Sequence, residues 1–418
     1  MPSPSLHDHV RLTGRLPAPA ITAPPAAPPA APRRADPART PLGPAAPRRA
    51  WYAARPALAV YTAALVLHLV LLSAMIPPHG PAVSDRLQAW DGRLYTQIAA
   101  EGYPHGFTYT PDGELTGNNL AFFPLYPLAV RAVHAVTGLG WGTAAIVAAQ
   151  LATIAALLIV HRLLARLYTR RTATVGIVLL AAAQPMSITF FMAYSESLFL
   201  ALAAATLLAA HRRAWLTAGC CAFLTGLTRP VGVAVVAALA LAALIQLRRE
   251  RRLSWRPIAA ALLACTSTPG YLWWVAERVG PVDAWFTIQE AGWGTHWDRG
   301  SSLWQFLTET LHSGEGWVPV SVAVLLLAHL LAALLACRRT TWPPLLVHGA
   351  VIIVLTLGQS NYYHCKLRLL TPALIFLIPT ATALARARPA TRALVLAASA
   401  LFGCWYGAYM LTTWHYAI

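Results

Sequence analysis

Carboxylate side chains stand out in this sequence because they interrupt long apolar runs. Asp91 lies in a polar, aromatic stretch between two such runs, and Glu196 lies at a tight turn between two others. An ionisable group beside hydrocarbon is costly unless it is used or paired. A carboxylate that is desolvated on one side is poised to act as a general base. We therefore take Asp91 and Glu196 as the candidate catalytic residues.

Three cations are candidate partners for these carboxylates. Arg229 sits in a short turn within a continuous apolar stretch, and Lys366, the only lysine, shares a short polar turn with Arg368. Arginine can hold a phosphate through two parallel hydrogen bonds, and lysine can hold it as a point charge. The alternative is that each cation only extends from the membrane to its surface. For Glu196 the alternative is a structural acid at a helix N-terminus.

Aromatic side chains near these charges are candidates for binding a substrate. Aromatic rings can stack on the C–H faces of a sugar while polar groups contact its hydroxyls, although rings also collect at membrane surfaces without any ligand. The candidate substrate-binding residues are Trp90, Arg93, Tyr95, Tyr126, Tyr194, Arg229, His364, Lys366 and Arg368.

Motifs of soluble enzymes do not occur in a usable context, among them GxxxxGK[ST], GxGxxG, HExxH and GxSxG. The six cysteines include no CxxC pair, which argues against a zinc site and a disulfide framework. A divalent metal between Asp91 and Glu196 is chemically reasonable but is not indicated by their spacing. The expected chemistry is therefore that of carboxylates, arginines and aromatic rings.

The composition is that of a membrane protein. Hydrophobic residues make up 57% of the 418 positions and charged residues 11%, and the mean hydropathy is +0.53. The net charge of +17 comes from arginines at the ends of apolar runs, which indicates membrane topology rather than nucleic-acid binding. We predict an all-α membrane protein with about eleven transmembrane helices. They lie near residues 56–76, 142–160, 172–192, 197–211, 214–228, 230–247, 256–276, 317–336, 343–358, 369–385 and 392–411.

The arginines also predict which side each segment faces. Residues 1–50 are rich in Pro, Ala and Arg and predict a disordered cytoplasmic tail, and residues 51–418 predict one transmembrane domain. Two polar segments then face outward: residues 77–139, with interfacial helices, and residues 277–316, which are rich in tryptophan. Most of the 15 acidic residues fall on this outer side. An outward-facing site that uses carboxylates would explain this bias.

Several motifs in order along the chain resemble one family of membrane enzymes. The motifs are Trp90-Asp91, Gly102-Tyr103, Ala121–Pro127, Ala193–Phe199, Leu227–Pro230 and Arg368–Ala373. Together they resemble the PIG-V mannosyltransferases, the GPI mannosyltransferase II group or glycosyltransferase family 76, within the GT-C class. The resemblance runs from about residue 56 to the last residue of the sequence, and the tail lies outside it.

The resemblance implies a GT-C fold and a mannosyltransferase in the cell membrane. Such an enzyme takes mannose from a polyprenyl-phosphate carrier on the extracytoplasmic side and passes it to a glycolipid, glycan or protein. The class keeps an essential acidic residue in its first large outer loop, which corresponds here to Asp91. We expect an inverting reaction in which Asp91 is the base and Arg229, Lys366 or Arg368 holds the phosphate.

The alternative function is a polytopic transporter or a flippase for lipid-linked sugars. Such proteins also have many spans, broken helices and charges within the membrane. The long polar outer segments and the lack of an internal repeat favour the enzyme. The sequence carries no indication of an oligomeric state.

Overall fold

The computed structural model describes residues 45–418, and it describes side chains from residue 51 onward. Residues Ala50–Ile418 form one compact unit, which is almost entirely helical. The predicted disordered tail lies outside the described residues, apart from its last six positions, which begin the first helix.

Eighteen α-helices and four short strands are present in the described part of the chain. Helices α1 to α9 are Ala45–Met75, Val83–Leu87, Asp91–Glu101, Leu125–Thr137, Trp141–Leu167, Arg170–Val178, Glu196–His211, Trp215–Gly226 and Val233–Glu250. Helices α10 to α18 are Trp255–Cys265, Ser267–Val279, Ala284–Trp293, Ser301–Ser313, Trp317–Cys337, Pro343–Leu357, Lys366–Leu370, Leu377–Arg386 and Pro389–Thr412. Strands β1 to β4 are Thr108–Tyr109, Leu115–Thr116, His296–Trp297 and Gln359–Ser360.

Six helical segments in residues 45–418 are long and apolar enough to cross a membrane. They are Trp51–Met75, Trp141–Leu167, Pro230–Glu250, Trp255–Val279, Trp317–Cys337 and Pro389–Thr412. The pair Tyr363–Leu370 and Leu374–Arg386 passes the same test together and is bent by 81°. The predicted all-α membrane architecture is therefore confirmed.

The number of long spans is lower than the predicted eleven because several apolar runs form short or broken helices. The runs at 197–211, 214–228 and 343–358 form helices of 16, 12 and 15 residues. The run at 172–192 starts as α6, widens into a π-helical turn and ends at Gln184, which is extended before Pro185. A proline disfavours helical backbone in the residue before it.

The polar segment at residues 77–139 contains helices α2, α3 and α4 and the hairpin β1–β2. Helix α4 has 13 residues, about 20 Å in length, and is too short to cross a bilayer. Its Arg131 donates hydrogen bonds of 2.6 and 3.4 Å to the carbonyls of Ala99 and Ile98. Because these carbonyls lie in the last turn of α3, Arg131 supplies partners that a helix end otherwise lacks.

The polar segment at residues 277–316 packs against the segment at residues 77–139. The backbones of Gly117, after β2, and Gly292, in α12, touch: a Cβ added to Gly117 would lie 2.5 Å from the Cα of Gly292. The side chains of Trp285 and Gln289 both donate to the Ala121 carbonyl, at 3.3 and 3.1 Å. Strand β3 pairs with β4, so this segment is also tied to the turn before α16.

Helices α5 and α7 form the part of the frame that holds Glu196, the first residue of α7. The two helices make an extensive contact through small residues. The buried small residues of α5 include Ala144, Ala145, Ala148, Ala149, Ala152 and Ala156. Small side chains let helix backbones approach closely. Glu196 therefore has a rigid support at one end of the bundle.

Candidate functional site

Asp91 is the first residue of α3, and an abrupt change of backbone direction places it. Trp90, just before it, has φ of 51°, which is uncommon for a residue with a side chain. Gly92, just after it, packs closely on the 193–196 turn, since a Cβ there would lie 3.4 Å from the Cβ and carbonyl oxygen of Ala193. Ala193 in turn donates its N–H to the Leu87 carbonyl at 2.8 Å. These contacts bring Asp91 beside the turn that carries Glu196.

Four charged side chains alternate in sign across this site. Arg368 Nη1 lies 2.6 Å from Asp91 Oδ2, and Arg368 Nε lies 3.6 Å from Glu196 Oε1. Arg229 Nη1 lies 2.6 Å from the same Glu196 oxygen. The two carboxylates and the two arginines cancel in charge, which compensates for the unfavourable burial of each one. The structure thus brings together both candidate catalytic residues and two of the three candidate cations.

The two carboxylates differ in accessibility. The side chain of Asp91 is 17% exposed and lines an open cleft, whereas that of Glu196 is 1% exposed and does not line it. Asp91 is therefore the carboxylate that a substrate in the cleft can reach. Glu196 lies behind the arginines as their counter-ion, and its predicted catalytic role stays a prediction.

A buried pair of hydroxyl groups holds Arg229 in place. The oxygens of Tyr95 and Ser195 lie 2.7 Å apart, and Arg229 Nη1 donates to Ser195 Oγ at 3.2 Å. Burial raises the pKa of Tyr95 above its usual range, although Arg229 opposes this effect. Tyr95 is therefore a neutral hydroxyl at physiological pH, and it takes part in the site as a hydrogen-bonding group.

Tyr194 supports the other arginine. Its hydroxyl donates to the Ala89 carbonyl at 3.1 Å, and the Arg368 guanidinium carbon lies 5.2 Å from the centre of its ring. This distance permits a cation–π contact, which favours a guanidinium over the face of an aromatic ring. Tyr194 thus contacts Arg368 without lining the cleft.

The structure places three further candidates away from the cleft. Tyr126 is buried, donates its hydroxyl to the Ala145 carbonyl at 2.8 Å and packs edge-on against Tyr95. Trp90 is half-buried against the main apolar core, and Arg93 is exposed on α3. Their predicted role in substrate binding stays a prediction, and for Tyr126 the structure shows a supporting position behind Tyr95.

Lys366 and His364 also lie outside the cleft lining. Lys366 is buried, and its Nζ donates to the carbonyls of Thr356 and Gln359 at 3.2 and 2.9 Å. It therefore ties the end of α15 to α16, and the arginines are the cations that face Asp91. The His364 ring stacks on Tyr362, with 5.4 Å between the ring centres. These two candidates stay predictions.

A cleft that is open to solvent lies in front of Asp91. Its lining includes Asp91, Tyr95, Arg229 and Arg368, and we call the part that α12 and the turn at 359–362 form the far wall. The α12 side chains that line it are four residues apart: Trp285, Gln289 and Trp293. Residues at this spacing share one helix face. The sequence predicts none of Gln289, Trp293 and Asn361 as a site residue, although residues 277–316 are rich in tryptophan.

A second cleft adjoins the first. The two clefts share seven lining residues: Arg229, Pro230, Trp285, Gln289, Thr295, Gln359 and Leu369. Most residues that line only the second cleft are apolar: Val231, Val233, Phe286, Trp297 and Leu355. A charged site and an apolar groove thus meet at Arg229.

The donor groups of the site do not fit a divalent metal. Within residues 45–418 no three His, Cys, Asp or Glu side chains are grouped so that they could hold an ion. Asp91 and Glu196 are each ion-paired with an arginine, which a metal would have to displace. Hard divalent cations need several oxygen ligands, whereas guanidinium groups favour carboxylates and phosphates.

Comparison with solved structures identifies the fold. Two crystal structures of ArnT from Cupriavidus metallidurans each match with a TM-score of 0.50. The one bound to undecaprenyl phosphate is 14% identical, and the match covers 85% of this chain and 76% of that chain. The apo form is 15% identical, with 88% and 76% covered. An oligosaccharyltransferase from Archaeoglobus fulgidus has a TM-score of 0.47 and 13% identity, with 84% and 53% covered.

The fold is therefore that of the GT-C glycosyltransferases, an all-α class of membrane proteins, as the sequence predicted. No protein-family model and no curated protein matches the chain. The narrower resemblance to the PIG-V mannosyltransferases rests on the sequence motifs alone.

Proposed function

We propose that the protein is a membrane glycosyltransferase that takes its sugar from a polyprenyl-phosphate carrier. The observation that carries this proposal is the pair Asp91–Arg368 at the wall of the cleft, with Arg229 beside it. A reachable carboxylate can act as a base, and two fixed guanidinium groups can hold a phosphate. These are the two tasks that such a transfer requires.

The proposed reaction uses each group once. The acceptor hydroxyl gives its proton to Asp91 as its oxygen bonds to the anomeric carbon of the sugar. The bond from that carbon to the phosphate oxygen breaks, and its electron pair leaves with the carrier phosphate. Arg229 and Arg368 stabilise the charge that develops there. Since a single base is enough for inversion, Glu196 need not reach the substrate.

The apolar second cleft supports a lipid carrier. It begins at Arg229 and is lined by side chains of α9, α12 and α15. A phosphate at Arg229 would leave the hydrocarbon chain of its carrier beside this apolar surface, where burial is favourable. The structural neighbour crystallised with undecaprenyl phosphate supports the same donor class.

The sugar, acceptor and location are proposed from the sequence. The PIG-V resemblance favours mannose as the sugar and a glycolipid, glycan or protein as the acceptor. The arginine distribution favours a cell-membrane protein with its N-terminus in the cytoplasm and its site on the extracytoplasmic side.

The base is tested by Asp91→Asn in membranes supplied with labelled polyprenyl-phosphate mannose. This variant should insert and fold but lose about 10²- to 10⁴-fold in transfer rate, the range for losing an acid–base group. Asp112→Asn, which changes an exposed carboxylate in the same outer segment, is the matched control. Retained transfer in Asp91→Asn would refute the assignment of the base.

The phosphate site is tested by Arg229→Ala. Because Arg229 contacts the phosphate in the proposed complex, this variant should raise the donor KM or lower turnover. Arg339→Ala, which removes an exposed arginine after α14, should change neither. An unchanged dependence on donor concentration would leave Arg229 with a structural role only.

The alternative, a transporter or flippase for lipid-linked sugars, draws on the broken helices at Gln184–Pro185 and between Leu370 and Leu374. Purified protein in vesicles separates the two functions. An enzyme incorporates labelled sugar into an acceptor on one side of the membrane, whereas a flippase moves the intact carrier between leaflets without forming a product.

A further inference from the structure

We infer that Gln289 recognises a hydroxyl of the donor sugar. The inference deepens the proposed function and rests on it, because Gln289 lines the same cleft as Asp91. Gln289 lies in the middle of the α12 face, between Trp285 and Trp293, and lines the cleft.

Contacts with the backbone fix the orientation of the Gln289 amide. Its Nε2 donates to the Ala121 carbonyl at 3.1 Å, and a carbonyl can only accept, so the nitrogen and oxygen cannot be interchanged. Its Oε1 makes no hydrogen bond to the described residues and is therefore free to accept one from a ligand. Trp285, one turn earlier in α12, donates its Nε1–H to the same carbonyl at 3.3 Å, and this second hydrogen bond also holds α12 against Ala121. A fixed acceptor of this kind suits a sugar hydroxyl.

Trp293 supplies an aromatic surface one turn further along the same face. Its ring is held edge-to-face by Phe122, with 5.4 Å between the ring centres. Gly292, the residue before it, contacts the Gly117 backbone, so this end of α12 cannot shift without breaking a close contact. The Trp293 ring can stack on the C–H face of a sugar while the Gln289 amide forms a hydrogen bond with one of its hydroxyls.

The experiment compares Gln289→Met with Gln305→Met. Methionine keeps the length of the side chain and removes both polar atoms, and Gln305 is an exposed glutamine of α13. The readout is kcat/KM for polyprenyl-phosphate hexose and for a set of donors in which one sugar hydroxyl at a time is replaced by hydrogen. Inhibition by free polyprenyl phosphate reports whether the phosphate site is still folded.

Gln289→Met should lower kcat/KM for the full donor by about 3- to 10-fold, the effect of one uncharged hydrogen bond, while Gln305→Met leaves it unchanged. With one of the deoxy donors the loss should disappear, which identifies the hydroxyl. Inhibition by free polyprenyl phosphate should be the same in both variants. The inference is wrong if the unaltered protein transfers sugar but Gln289→Met loses kcat/KM by the same factor with every donor, or does not lose it at all. No transfer by the unaltered protein from any such donor would instead overturn the proposed function.

Discussion

Arg368 Nη1 lies 2.6 Å from Asp91 Oδ2, although the two residues are 277 positions apart in the chain. Asp91 is the first residue of α3, and Arg368 lies on α16, within the bent helix pair Tyr363–Leu370 and Leu374–Arg386. The ion pair therefore joins the two ends of the transmembrane domain at the wall of the cleft. It also leaves Asp91 Oδ1 without a hydrogen bond to the described residues.

This ion pair predicts non-additive stability. Asp91→Asn and Arg368→Gln should each lower the thermal unfolding temperature in detergent, because each leaves a partly buried charge without its partner. The double variant should lose less than the sum of the two, with a coupling of about 1–3 kcal/mol. Transfer activity should be absent from all three variants. Strict additivity of the two stability losses would mean that the pair contributes nothing.

Glu196 is predicted to position the arginines rather than to transfer a proton. Glu196→Gln keeps the size of the side chain but removes the counter-ion of Arg229 and Arg368. We expect turnover to fall about 10- to 100-fold while measurable transfer persists, since Asp91 still supplies the base. Glu315→Gln, at an exposed position, is the control. A loss as complete as that of Asp91→Asn would assign the base to Glu196.

The hydroxyl of Ser195 predicts a coupling between Tyr95 and Arg229. Ser195→Ala leaves the buried Tyr95 hydroxyl without its partner and should destabilise the protein by about 1–3 kcal/mol. The same change made in a Tyr95→Phe background should have a smaller effect, because no buried hydroxyl then remains. Thermal unfolding of the four proteins measures both effects. Equal losses in the two backgrounds would show that the hydroxyls act independently.

The contact between Gly117 and Gly292 predicts that the far wall is sensitive to a single methyl group. Gly117→Ala places a Cβ 2.5 Å from the Gly292 Cα and 2.9 Å from the Trp293 ring, so α12 must move. We expect donor KM to rise several-fold as Gln289 and Trp293 leave their positions. Gly106→Ala is the matched control, since a Cβ there meets no atom within 4 Å. Equal kinetics for the two variants would show that α12 tolerates the shift.

The clustering of the charged residues could be predicted from the sequence because each charge lies in an apolar setting. Asp91, Glu196, Arg229 and Arg368 would be costly next to hydrocarbon unless they met one another, and the structure brings them together. The same reasoning treated Lys366 as their equal. Its Nζ instead donates to the carbonyls of Thr356, in α15, and Gln359, in β4.

The residues of the far wall and the number of membrane-spanning helices could not be predicted from the sequence, because both depend on contacts between segments that are far apart in the chain. Gln289 becomes a site residue only because α12 docks on the Ala121 carbonyl, 168 positions earlier. The apolar runs predicted helices well, but hydropathy does not decide whether a run continues straight. The break at Gln184–Pro185 and the 81° bend after Leu370 are such interruptions.

The two arginines at the cleft have a consequence for turnover. In the proposed reaction the donor is a phosphodiester with one negative charge, and the spent carrier is a phosphomonoester with a charge of about −1.5 to −2 at pH 7. Arg229 and Arg368 therefore attract the spent carrier more strongly than the donor. We therefore expect the spent carrier to leave the site more slowly than the donor would, so that accumulated carrier phosphate inhibits the enzyme.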